Sequence, residues 1–148
     1  MDGGKYDHLF ITEQPPNKKQ FANHPILNRI LRLDDDSLKG SSMTIQCAWV
    51  PARSDPGRLE AHTHDFDEAI GFIASNSNDQ HDLGAEVEIW LGDQKYVLKT
   101  SFLVFVPAGL KHCPLVVKNI TKPILHISVA THGKYGIRWD KDGKFVRV

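Results

Sequence analysis

The sequence predicts an all-β sandwich or barrel. No long stretch keeps a helical apolar period, and short β-rich runs recur at close spacing between turn-forming residues. Residues 86–91 alternate, with Glu86, Glu88 and Trp90 on one face and Val87, Ile89 and Leu91 on the other. A Gly92-Asp93 turn then returns the chain as a hairpin partner.

Residues 1–25 read as an arm, with Gly3-Gly4, Pro15-Pro16 and Lys18-Lys19. The body, 26–148, reads as one domain. Its first strand is expected at 26–33. Asp34-Asp35-Asp36 should then turn the chain, because Asp bonds its own backbone; the plain reading of this acid run is a solvated loop. Further strands are expected at 43–50, 69–74, 86–91, 95–99, 102–106 and 124–130. The polar run 75–82 is an exposed loop. Pro107-Ala108-Gly109 ends the apolar strand 102–106, and a hairpin is expected within 137–148 around Asp140–Gly143.

Composition narrows the function. A chain of 148 residues is long enough for a full core, and 41% hydrophobic with 24% charged residues is ordinary for a globular domain. Lys and Arg number 18, as do Asp and Glu, so no broad field draws the chain to nucleic acid. Neither a signal-type apolar run nor a membrane span is visible, and Cys47 and Cys113 are too few for a disulfide framework. The expectation is a soluble, cytoplasmic protein with a small-molecule partner, bound to neither membrane nor nucleic acid.

Histidine is abundant, with eight in the chain, and the chemistry lies with a few of them. In a strand, residues two apart point the same way, so His62 and His64 can present two imidazoles to one point. Glu68 follows across a short bend. His112 follows the Pro107–Gly109 turn, which can aim the next strand inward. Three neutral imidazoles and a carboxylate suit one divalent Fe, Mn, Co, Ni, Cu or Zn ion.

His62-x-His64-x-x-x-Glu68 followed by Pro107-x-Gly109-x-x-His112 resembles the two motifs of the cupin superfamily. All four ligand positions match. The departures fall at turns: Gly57 stands one residue closer than the pattern asks, and Ser75, Ser101 and Val116 stand where the family has Gly, Gly and Asn. The resemblance covers roughly 43–130. It implies a jelly-roll β-barrel with the metal inside its wider half and His62, His64, Glu68 and His112 as ligands. Cupins include dioxygenases, isomerases, lyases and binding proteins, so the fold leaves the reaction open.

Around the centre, His126 and Ser128 share one face of 124–130, opposite Leu125, Ile127 and Val129, and His126 is a candidate second-layer or substrate-binding residue. Glu86 is a further catalytic candidate if its face lines the cavity, although an outer face is the commoner place for Glu on a strand. Cys113, next to His112, should point away from the metal as a packing residue. His8, His24, His81 and His132 read as surface histidines, and Trp49 and Trp139 as packing or interface residues.

The ligand set and the cupin resemblance together imply a small mononuclear metalloenzyme acting on a small oxygenated organic molecule, with a dioxygenase first by that resemblance alone. A redox-neutral isomerase or lyase, or a non-catalytic ligand-binding module, are the alternatives. The early strand leaves a sheet edge that a homodimer would cover.

Overall fold

Alternation along each strand decides which side chains meet in the interior. The computed structural model describes residues 3–13, 26–52 and 58–133. They form two antiparallel sheets, with β1 (Asn28–Leu33), β2 (Thr44–Val50), β3 (Arg58–Leu59), β4 (Glu68–Ala74), β5 (Glu86–Leu91), β6 (Gln94–Leu98), β7 (Phe102–Val106), β8 (His112–Lys118) and β9 (Ile124–Ala130). One sheet has the order β1-β2-β9-β4-β7 and the other β3-β8-β5-β6. The sole regular helix among the described residues is the 3-10 turn Asp7–Leu9, so the all-β expectation holds. The expected hairpin in 137–148, Trp139, Gly57 and residues 1–2 and 14–25 of the arm, His24 among them, lie outside the described residues.

The core lies between the sheets. Ala48, Val50, Ile70, Phe72 and Ile124 of the first sheet pack with Val87, Ile89, Leu115 and Val117 of the second. The inner face of the first sheet turns polar toward one end. Its register sets three rows across β2, β9 and β4: Ala48–His126–Phe72, then Gln46–Ser128–Ile70, then Thr44–Ala130–Glu68. Apolar side chains thus give way to polar ones where the functional candidates gather.

Two bulges interrupt the alternation. In β1 the register advances from Arg29↔Ala48 to Leu31↔Cys47, so Ile30 is the extra residue. In β8 it moves from Ile89↔Leu115 to Leu91↔His112, so β8 carries one residue more than β5 there. An extra residue re-aims its neighbours, as bulges beside functional sites commonly do.

The acid run after β1 is a turn, as expected, but it is not wholly solvated. Asp34 is buried, its carboxylate accepting from the backbone N–H groups of Asp36 and Ser37 and from Arg32 Nε at 2.8 Å. Burial pushes the carboxyl pKa up, but the hydrogen bonds from Ser37 and Arg32 outweigh it and hold the group below its ordinary value.

Candidate metal centre

Backbone pairing brings the two motifs together. The His62 N–H donates to His112 O at 2.9 Å, and the His112 N–H returns the bond to His62 O at 3.0 Å. This bridge is short of the strand expected around His62 and His64, yet it suffices to set the rings of His62 and His112 4.2 Å apart. Gly109, at φ 84, donates its N–H to His64 O, so the turn before β8 is tied to the first motif. That φ is in the left-handed region glycine enters without a Cβ clash. Glu68, the first residue of β4, shares the inner face with Ile70 and Phe72.

The ring tautomers follow from the same local geometry. Nδ1 of His62, His64 and His112 lies 2.8, 3.1 and 2.9 Å from the carbonyl oxygens of Glu60, Phe66 and Leu110, each two residues away in the chain. A carbonyl can only accept, so each Nδ1 carries the proton and each Nε2 of the neutral ring presents a lone pair. Burial lowers the pKa of His62 to about 4 and that of His112 below its ordinary value, which keeps both rings neutral at pH 7. The Phe66 ring stacks on His64 at 4.2 Å and fixes its plane.

Ligand atoms of the three histidines lie within 4.8 Å of one another, all buried. His64 Nε2 and Glu68 Oε2 are 2.6 Å apart, and His112 Nε2 is 4.0 Å from the same oxygen. Glu68 Oε2 and His112 Nε2 are fully buried and accept no hydrogen bond. Lone pairs this close call for a cation, and three nitrogens with a carboxylate exceed what one proton can satisfy. The residues fit a divalent metal ion.

A cavity of about 140 Å³ adjoins this group and is lined by His62 and Glu68. His126 lines it too. Its Nδ1 donates to Gly71 O at 3.0 Å, leaving Nε2 as an acceptor. Burial lowers its pKa to about 4 despite the Gly71 bond, and the charge of Arg29 adds to the lowering.

Two expectations need correction. Glu86 is not in this site: Val87 and Ile89 take the inner face of β5, and the Glu86 carboxylate lies on the outer face 3.5 Å from Lys99 Nζ. Glu88 shares that face, paired with Lys118. Cys113 does not point away. With φ 68 at Cys113 and the β8 bulge beside it, both His112 and Cys113 turn inward, and Cys113 lines the cavity. Burial pushes its thiol up to about 12, so it is a packing group rather than a nucleophile. His8 and His81 are exposed, as expected, whereas His132 is half-buried with its ring 5.9 Å from Phe66.

Sequence reasoning missed Arg29, Arg32 and Gln46, which also line the cavity. The available signal was two arginines inside an otherwise apolar strand.

No protein-family model and no curated protein matches the sequence. Solved structures do match its fold. An oxalate oxidase aligns over 88% of this chain and 62% of its own, at 16% identity and a TM-score of 0.55. Recombinant oxalate oxidase in complex with glycolate aligns over 91% of this chain and 64% of its own, at 13% identity and a TM-score of 0.57. A double-stranded β-helix protein from Klebsiella pneumoniae aligns over 84% of this chain and 82% of its own, at 16% identity and a TM-score of 0.50. The chain has the cupin fold. It spans less than two thirds of the length of the oxalate oxidase chains. Peruvianin-I, a cysteine peptidase from Thevetia peruviana latex, shares the fold at a TM-score of 0.57 and 15% identity, so the cupin fold alone assigns no activity. Among the described residues, no helix is long and apolar enough to cross a membrane.

Proposed function

We propose that the protein is a small mononuclear metal-dependent enzyme that acts on a small oxygenated organic molecule, with dioxygenase-like chemistry as the first reading. The observation that carries this is the convergence of His62, His64, His112 and Glu68 beside a cavity. When bound, the metal would supply Lewis-acid polarisation of substrate oxygen or a place for dioxygen. The chain's own residues do the rest. The three carbonyl-anchored imidazoles hold the ligand lone pairs in place. Leu59 of β3 and Ile70 and Phe72 of β4 give the cavity apolar lining from both sheets.

His126 favours a second reading, a redox-neutral isomerase or lyase. Its Nε2 is an acceptor within the cavity and can hold a substrate hydroxyl proton. Its depressed pKa makes it a weak base at neutral pH, so orientation is its larger role. A non-catalytic ligand module remains the reading outside enzymes. We place the protein in the cytoplasm, where Cys47 and Cys113, which are not joined to each other, stay reduced. We also propose a homodimer.

Elemental analysis of protein purified without added metal, with oxygen uptake measured on candidate substrates, tests this reading. One transition metal per chain with oxygen consumption supports the dioxygenase. Turnover without oxygen uptake moves it to the isomerase or lyase. Absence of any metal in purified and reconstituted protein overturns the metalloenzyme.

A further inference from the structure

The cavity has a polar wall that the metal candidates do not form, where β2 meets β9. Gln46, Ser128 and His126 all line it, and Gln46 and His126 are each only 7% exposed. Gln46 pairs with Ser128 across the two strands, and Ala48 pairs with His126, so Gln46 and His126 are diagonal neighbours on the inner face. Side chains in that relation start roughly 7 Å apart. Ser128 stands beside both.

The bonds behind this wall fix what it offers the cavity. Gln46 Oε1 accepts from Arg29 Nε at 2.7 Å and lies 3.5 Å from Arg32 Nη1. Guanidinium groups only donate, so the amide oxygen faces them and the amino group is turned the other way. Two guanidinium groups on the oxygen also polarise the amide and strengthen its N–H as a donor. Neither Gln46 Nε2 nor the Ser128 hydroxyl has a protein partner among the described residues. His126 is held from two sides: Nδ1 donates to Gly71 O at 3.0 Å, and the ring lies 4.7 Å from that of Phe72. Its Nε2 lone pair meets no protein donor among the described residues. A buried donor and a buried acceptor on one cavity wall call for complementary groups on whatever fills the cavity.

That complement is specific. The group on Gln46 must accept, the group on His126 must donate, and the Ser128 hydroxyl serves either need. A carbonyl oxygen with a hydroxyl group on the adjacent carbon supplies both. A cation would meet Arg29 and Arg32 behind Gln46, and a bare carboxylate has no proton for His126. The cavity volume of about 140 Å³ is close to the roughly 150 Å³ that accommodates benzene, so a ligand of about six heavy atoms fits.

We propose that Gln46, Ser128 and His126 form a recognition site for a small neutral α-hydroxy carbonyl compound. Its carbonyl oxygen accepts from Gln46 Nε2, its hydroxyl donates to His126 Nε2, and Ser128 donates to the hydroxyl oxygen. The inference rests on reading the cavity as a substrate chamber, but it needs neither a bound metal nor a contact with Glu68.

The test follows nitrogen-15 spectra of the labelled full chain, as purified and after EDTA treatment. The probes are hydroxyacetone, methoxyacetone, which lacks the hydroxyl proton, and glycolate, which carries a carboxylate in place of the ketone. Hydroxyacetone should move the His126 Nε2 and Gln46 side-chain resonances and bind roughly tenfold more tightly than methoxyacetone in both forms, the order expected for a buried acceptor left unpaired. Glycolate should bind the EDTA-treated protein no more tightly than hydroxyacetone. Gln46→Glu keeps an oxygen for the arginines and removes the amino donor, so it should weaken hydroxyacetone roughly tenfold. Ser128→Ala should weaken it severalfold. His126→Phe keeps a ring beside Phe72 and should make the two ketones bind equally, which general loosening of the cavity would not do. Equal binding of the two ketones to the wild type, undiminished hydroxyacetone binding in Gln46→Glu, tighter binding of glycolate, or no binding at tens of millimolar overturns the site. Circular dichroism identifies a variant that fails to fold, and the wild-type comparison of the ketones then decides alone. Metal content and zinc uptake, measured on the same samples, separate the two ideas: selective ketone binding without metal uptake removes the metalloenzyme and keeps the site, and metal uptake without selectivity does the reverse.

Discussion

His62 and His126 both line the cavity, but replacing them should remove different things. His62 offers its lone pair to the ligand group, so His62→Ala should sharply reduce metal content and abolish turnover. The core built on Phe72, Ile89, Leu115 and Val117 should hold the β circular dichroism signal unchanged. His126→Ala should keep the metal and lower substrate affinity or turnover. Equal metal loss in both proteins would make His126 a ligand, and full retention in His62→Ala would detach the first motif from metal binding. The same two residues give the metal-free protein an acid limit. Their folded pKa values, about 4, lie below the roughly 6.5 of an unfolded histidine, so the unfolded chain binds more protons between those values. Their contribution to stability is therefore complete above about pH 6.5 and is lost as pH falls toward 4. Urea melts of EDTA-treated protein at pH 7, 5.5 and 4.5 should show a falling midpoint that His126→Ala flattens.

At the scale of elements, what was legible in the sequence was what alternation and turn chemistry encode. Strands β2, β4, β5, β6, β7 and β9 lie within one or two residues of the expected runs, because each is a β-rich stretch bounded by Gly, Pro or Asp. The motif spacing around His62, His64, Glu68 and His112 brought together residues that the structure also brings together. What was not legible was register. Cys113 was expected to face outward and faces inward, and Arg29 and Arg32 drew no attention, because in each case one extra residue shifts the alternation. A bulge depends on the partner strand, so no local pattern announces it. Deleting Ile30 tests this directly. The deletion should restore a regular β1 and turn one arginine off the Gln46 side chain, which a crystal structure of the variant would show. Metal content should be unaffected, since the ligands lie on other elements.

At the scale of the molecule, the first sheet leaves much of its outer face apolar. Leu103 and Phe105 on the edge strand β7 are 73% and 63% exposed, and Trp49 on β2 is 39% exposed. The other edge, β1, carries the bulge, a feature that discourages strand-to-strand addition. A second copy of the chain is therefore better accommodated on the face around Leu103 and Phe105 than along β1, where the sequence alone would put it. Light scattering at micromolar concentration should give twice the chain mass, and Leu103→Glu with Phe105→Glu should give the monomer. A monomeric wild type removes the dimer, and a dimeric double variant moves its interface.

The carbonyl anchors on His62, His64 and His112 have a consequence for the thermodynamics of loading. Each ring stores its proton on Nδ1, away from the converging lone pairs. His62 and His112, whose pKa values burial lowers, then have no imidazolium proton to expel on metal uptake near neutral pH. The heat of Co(II) binding at pH 7.5, corrected for metal–buffer complexation and compared across buffers of very different ionisation enthalpy, should report release of no more than one proton per ion. A centre in which His62 and His112 also gave up protons would show a steeper slope.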